Sequence, residues 1–82
     1  MKKVYLDEIK VTVKLYNKHL KKGTLDNYFR PLYCGRFLAI LGIIRGDDDL
    51  DMDEVAKWTA FLDMASTCAA RGEALEYEIK SI

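Results

Sequence analysis

Apolar residues recur at helical spacing along the first part of the chain. They step by three or four positions, at Leu6, Ile9, Val13, Tyr16 and Leu20. This spacing gathers one face of an α-helix and predicts an amphipathic helix over about residues 5–22. A second apolar patch lies on the far side of the same helix, at Val4, Val11 and Leu15. A helix that is apolar on two sides is either packed between other elements or paired with another copy.

The second stretch, about residues 25–45, is apolar nearly all round. Thr24 can cap a short turn, and Pro31 suits the first turn of a main helix, so we predict a helix that is broken near Pro31. Because most of its positions are apolar, we expect this helix to be the buried centre of the fold. Its small residues fall on one side, where another backbone could approach closely: Gly35, Ala39 and Gly42.

A third helix is predicted over about residues 51–71. Its core stripe is Val55, Trp58, Leu62, Ala65 and Ala69, and its other side is mostly small, which also suits helix pairing. The tail, residues 73–82, fits both strand alternation and helical spacing. A lone strand would have nothing to pair with, so we favour a short helix or a docked tail.

Each of the three stretches ends in a cation followed by glycine: Lys22-Gly23, Arg45-Gly46 and Arg71-Gly72. Glycine supplies the left-handed residue just past a helix, and the cation meets the carbonyl end of the helix dipole. Eighty-two residues are too few for two cores. The sequence therefore predicts a single all-α domain over residues 1–82, a small bundle of three main helices.

The zero net charge hides a strong asymmetry. Residues 1–46 carry ten Lys and Arg against three Asp and Glu, and residues 47–82 carry three against ten. In a compact fold the two halves attract each other. The same asymmetry lets copies pair head to tail, so we also expect a homo-oligomer.

The segment "IIRGDDDLDMDEV" places six acids in the eight positions 47–54. As a calcium loop starting at Asp47 it fails, because Met52 stands where glycine is needed and Trp58 where glutamate is needed. Asp51 and Glu54 instead have the spacing of a capping box. Leu50 and Val55, on either side, have the spacing of a hydrophobic staple.

One helix cap needs only one acid, so the run has acids to spare. We predict a protein-docking surface here, whose residues are Asp47, Asp48, Asp49, Asp51 and Asp53. The alternative is a solvated loop with no partner. The Arg45-Gly46-Asp47 tripeptide is not favoured as an integrin ligand, since Gly46 is explained as a helix stop and no export signal is visible.

Arg36 falls within the apolar face of the central helix. A buried guanidinium needs a carboxylate or several carbonyl groups, so we expect an internal ion pair with Asp63 or with an acid of the tail. Two alternatives stay open: the side chain reaches the surface, or it grips an anionic ligand.

The chain shows little that supports catalysis. Its only histidine, His19, sits among lysines and is expected at the surface. Cys34 and Cys68 are expected to be buried free thiols in a reducing compartment. No glycine-rich phosphate loop, C-x-x-C or zinc spacing occurs, so we predict no enzyme, metal or cofactor. The most apolar stretch, residues 32–44, is short of the ~20 residues that span a bilayer, so a soluble cytoplasmic protein is expected.

These features together favour a non-enzymatic protein-interaction module. A small regulator or inhibitor of a larger protein, of the kind that mobile elements often encode, fits on general plausibility and not on any motif. One alternative is an oligomer that holds a small anionic, nucleotide-like ligand with Lys14, Lys18, Lys21, Arg30 and Arg36. Another is a nucleic-acid accessory protein that uses the lysines of the first helix, although nucleic acid is disfavoured because the domain is neutral overall.

Overall fold

The computed structural model describes residues 1–75, which form three α-helices. These are α1 (Lys3–Lys22), α2 (Phe29–Arg45) and α3 (Met52–Arg71). The prediction of a small all-α bundle of three helices is confirmed. The prediction for the tail falls mostly on residues 76–82, which lie outside the described residues. Leu75, just before them, is buried in the core.

The predicted glycine stops hold for two of the three helices. Gly23 (φ 70°) and Gly72 (φ 68°) are left-handed. At each of these ends the next N–H reaches back to a carbonyl of the last turn, 2.9 Å away. Gly46 departs from the prediction, because its φ of −89° is right-handed. Its N–H bonds to the Gly42 carbonyl at 3.1 Å, so the helical geometry runs on by one residue before the acidic loop begins.

The start of α2 differs from the predicted cap at Thr24 and shows where the predicted break lies. Asp26, not Thr24, caps this end, since its carboxylate accepts the N–H groups of Phe29 and Tyr28, both at 2.9 Å. These two bonds hold the pKa of Asp26 below its ordinary value. Thr24 pairs instead with the ring of His19. The predicted break is the turn at residues 27 and 28, and Pro31 sits in the first turn of an unbroken α2.

All three helices contribute to one core. The largest side chains that are almost fully buried are Tyr16, Phe37, Ile9, Ile44, Leu62 and Val13. The Tyr16 ring meets Tyr33 and Phe37 edge-on, with ring centroids 5.9 and 6.4 Å apart. The Tyr16 hydroxyl donates to the Glu73 carbonyl and lies 3.2 Å from the Cys68 carbonyl oxygen. Through this side chain α1 holds the end of α3.

As expected for the central helix, α2 contacts both other helices, but it is not buried all round. One side packs against the other two helices, mainly against α3. The opposite side faces solvent and carries large apolar residues: Leu32, Leu38 and Ile43. Two neighbours lying on one side cannot enclose a helix, so an apolar sequence all round leaves part of α2 uncovered.

Candidate partner-binding site at the acidic loop

Asp47 joins the loop between α2 and α3 to the start of α1. The Lys2 ammonium lies 2.6 Å from its carboxylate, and the Tyr5 hydroxyl donates to it. The N–H of Asp49 donates to the same carboxylate at 2.9 Å. These bonds, that of Lys2 first, lower the pKa of Asp47 to about 2. From the sequence alone Asp47 is a surplus acid, because its side-chain partners Lys2 and Tyr5 lie more than forty positions away.

This contact gives a pH dependence that can be measured. The pKa of Asp47 falls from an ordinary 3.8 to about 2 in the folded protein, so the ionised carboxylate stabilises the fold above about pH 4. That stabilisation is lost as the pH falls from about 4 to about 2. We expect Asp47→Asn to lower the melting temperature near pH 7, with the difference from the unsubstituted protein disappearing near pH 2.

Asp48→Asn is the matched control, since no side-chain partner holds Asp48 within residues 1–75. It should leave the melting temperature nearly unchanged across the same pH range. Equal effects of the two substitutions at pH 7 would show that the loop is not fixed through Asp47.

Asp51 occupies the predicted cap position of α3, but the capping box does not form. Its carbonyl accepts the N–H of Val55 at 3.0 Å, while its side chain makes no cap hydrogen bond among the described residues. Glu54 pairs with the Met1 amino group instead of reaching back to the cap. A charged amino group binds a carboxylate more strongly than a backbone N–H does, which explains the exchange. The carboxylate of Asp51 is thereby left exposed.

Three of the five predicted partner-binding acids are both exposed and unpaired within residues 1–75: Asp48, Asp51 and Asp53. Asp49 is exposed as well, with the Lys2 ammonium 3.3 Å from its carboxylate. Only Asp47 is committed to the fold. The candidate acidic surface therefore comprises the outer rim of the loop and the first turn of α3.

A cleft of about 410 Å³ lies beside this rim. It is lined by Arg45, Asp47, Asp48, Leu50, Met52, Val55 and Ala56. Leu50 and Val55, the predicted staple pair, are half-buried and pack against the core. Met52 at the start of α3 is 85% exposed, which is the largest exposure among the large apolar side chains of residues 1–75. We call this feature the Met52 cleft.

Sequence reasoning missed the apolar part of this site. The staple pattern accounted for Leu50 and Val55 as structural residues, and Met52 between two aspartates was passed over. Met52 itself could have indicated an exposed apolar site. A large, flexible apolar side chain at the first position of a helix makes few contacts within that helix. The arrangement can take up an apolar side chain and present carboxylates to cations around it.

The five cations of the alternative anion site are not brought together. Lys14, Lys18 and Lys21 are exposed along α1. Arg30 instead lies over Gly72, where an added Cβ would be 2.8 Å from its Nε. That Nε is buried and lacks a hydrogen-bond partner among residues 1–75.

The expected internal ion pair of Arg36 with Asp63 does not form, and the tail acids beyond residue 75 lie outside the described residues. The Arg36 guanidinium is 3.9 Å from the carboxylate of Glu8 on α1, and the Arg36 side chain is 38% exposed. The reason is that Arg36 lies at the edge of the α2 face that meets α1, so that Glu8 is the nearer acid. The pair lies at the surface, where such contacts contribute about 0–1 kcal/mol.

The histidine and the cysteines also lie differently from expectation. His19 is half-buried, with its ring stacked on Phe29 at a centroid distance of 4.2 Å. Cys34 and Cys68 are free thiols as predicted, but both are half-buried. The Cys68 thiol lies against the Met64 sulfur at 3.8 Å, and the His19 ring nitrogen is taken by Thr24. These three side chains therefore have separate structural neighbours.

Comparisons with protein-family models, curated proteins and solved structures give no match to this chain. Of the helices formed by residues 1–75, none has the length and apolarity that crossing a membrane requires. In the same part of the chain, no three His, Cys, Asp or Glu residues are grouped as a metal site would need. What the site does is therefore argued from its own geometry.

Proposed function

We propose that this chain is a protein-interaction module without catalytic activity, which captures a basic segment of a larger protein partner in the Met52 cleft. The observation that carries the proposal is the joint exposure of Met52, of Asp48 in the cleft lining, and of Asp51 and Asp53, which flank Met52 in the sequence. An apolar anchor inside a polar rim is the arrangement in which a few residues supply most of the binding energy of an interface.

The acids and the apolar floor of the cleft indicate which kind of segment it would bind. The rim acids favour Lys and Arg, and they speed encounter with a positively charged segment more than they add to final affinity. The floor favours a large apolar side chain, and the cleft volume lies within the ~300–1,000 Å³ of typical ligand pockets. The expected ligand is thus a basic loop or amphipathic helix with one apolar residue among its cations.

A role as a small regulator or inhibitor follows from this mode of binding. A domain of this size acts most simply by covering a surface of its partner. A cytoplasmic setting belongs to the same proposal and rests on the sequence, whereas an origin in a mobile element rests on general plausibility and on no motif. Self-association is its remaining part, supported by the charge asymmetry and by the open apolar side of α2.

Capture of partners from the cells in which the chain occurs tests the cleft. The variant has Asp48, Asp51 and Asp53 all changed to Asn, which removes three charges from the rim. We expect the yield of the bound protein to fall about tenfold or more, because three exposed carboxylates that each contribute about 0.5 kcal/mol together supply a factor of this size.

The control removes the same amount of charge elsewhere, with Asp7→Asn, Asp63→Asn and Glu73→Gln. These acids are exposed and lie away from the cleft. The control should capture the partner as well as the unsubstituted protein does. Full capture by the rim variant, or equal losses in both variants, would contradict a partner held at the Met52 cleft.

A further inference from the structure

A second uncovered surface runs along α1 and α2. On α1, Val4 is 60% and Val11 47% exposed, and on α2, Ile43 is 57% exposed. Leu32 lies one turn before Arg36 on the same open side of α2, and the Arg36–Glu8 contact links the two helices there. The apolar residues of both helices therefore flank one ion pair.

The α1 part of this surface is a stripe with regular spacing. Its members step by four and three positions in turn, at Val4, Glu8, Val11, Leu15, Lys18 and Lys22. This is the a/d spacing by which two helices pair along a seam. The core of α1 lies on a different side, formed by Ile9, Val13 and Tyr16. Leu15 is half-buried and packs against the edge of this core, while Val4 and Val11 are exposed and are left uncovered by the single chain.

Two of the three charges on the stripe, those of Glu8 and Lys18, are complementary between copies in one orientation only, while Lys22 meets Val4 in that register. If two α1 helices pair antiparallel about a two-fold axis near Val13, Val11 meets Leu15 of the second copy. In the same register Glu8 meets Lys18 of the second copy, and this contact occurs twice. A parallel pair would place Glu8 against Glu8 and Lys18 against Lys18, which is unfavourable.

The same two-fold axis suits α2. Because Tyr16 packs on Tyr33 and Phe37, the middle of α1 lies beside the middle of α2. An axis near Val13 therefore also passes close to the middle of α2. Its open side carries no charge between Arg36 and Arg45, and a Cβ added at Gly35 or Gly42 would touch nothing. Two α2 helices can accordingly approach closely along this side.

From this complementarity we infer that the chain forms a two-fold symmetric, antiparallel homodimer through the stripe of α1 and the open side of α2. The inference rests on the proposed self-association and specifies its surface. It is tested separately from the Met52 cleft, whose lining includes none of the stripe residues.

Charge exchange between positions 8 and 18 tests the interface by sedimentation velocity over a range of protein concentrations. In Glu8→Lys and in Lys18→Glu, each position meets a like charge on the second copy. We expect the dimer dissociation constant to rise about tenfold or more in each. The double variant, Glu8→Lys with Lys18→Glu, should recover most of the loss. Because it also lacks the Glu8–Arg36 contact, its recovery can come only from the pairing between copies.

Matched controls are Lys57→Glu and Asp63→Lys on the exposed side of α3, which should leave the dimer unchanged. Circular dichroism of every variant establishes that it is folded. A wild-type chain that stays monomeric at all concentrations would overturn both the dimer and the proposed self-association. A wild-type dimer that the single exchanges do not weaken, or that the double exchange does not restore, would overturn this interface and leave self-association standing.

Discussion

Replacing Leu62 with alanine is expected to destabilise the fold by about 2–5 kcal/mol. Leu62 is fully buried at the centre of the α3 core stripe. Its truncation loses the free energy of burying the removed carbons and leaves a cavity that the surrounding aromatic side chains fill only in part. The total stability of a domain of this size is on the order of 5 kcal/mol. The variant should therefore be largely unfolded at 37 °C in thermal or urea denaturation.

The matched control is Met64→Ala, two positions along the same helix. Met64 is of similar size and is 40% exposed, so its truncation should cost less than about 1 kcal/mol. Because both substitutions end in alanine, the difference between the two costs reports burial more than helix propensity. Similar costs at the two positions would mean that the face of α3 assigned to the core is wrong.

The largest effect on binding is expected from Met52→Ala. Truncating an exposed central apolar anchor typically costs an interface about 1–3 kcal/mol, which corresponds to a loss of affinity of about ten- to a hundredfold. Met52 packs little within the single chain, so its free energy of unfolding should change by no more than about 0.5 kcal/mol. The measurement is the dissociation constant for the partner recovered in the capture experiment.

Met64→Ala again serves as the control, because it removes the same side chain from an exposed position of α3 outside the cleft lining. It should leave partner affinity unchanged. Unaltered affinity of Met52→Ala, together with lost affinity of the rim variant, would indicate that the partner binds the carboxylates alone and leaves the cleft empty.

The helices were predictable because their signals are local. The apolar period fixed three helices, and the glycines at 23 and 72 fixed two of their ends through backbone geometry that few other residues adopt. Gly46 carries the same sequence signal and takes a right-handed conformation. The next residue, Asp47, contacts Tyr5 of α1, and no local pattern reveals that contact.

Only the acidic part of the candidate site could be predicted, because its other features depend on contacts between residues far apart in the sequence. The run of acids is visible in the sequence, and three of its members are exposed without partners in the described part of the chain. The assignment of Asp47 to the fold depends on Lys2 and Tyr5, which tertiary packing brings to the loop. The Met52 cleft depends on where α2 ends relative to α3, so it could not be read from spacing.

Arg36 and α2 show how an apolar sequence can mislead. Apolar residues all round a helix ordinarily indicate burial on every side. In a bundle of three helices, α2 meets its neighbours on one side only. The guanidinium of Arg36 lies at the edge of that contact, where Glu8 is within reach and water is accessible. The uncovered side is the reason to consider a second copy of the chain.

The central claim is that the Met52 cleft binds basic segments that carry an apolar residue. Methyl-resolved NMR tests it directly, by titrating the chain with a short amphipathic peptide that has leucines on one face and lysines on the other. We expect saturable shifts of the Leu50, Met52 and Val55 methyl signals, and none with the same peptide carrying glutamates for lysines. Absence of saturable shifts at these three residues, or larger shifts at Val11 and Ile43, would contradict it.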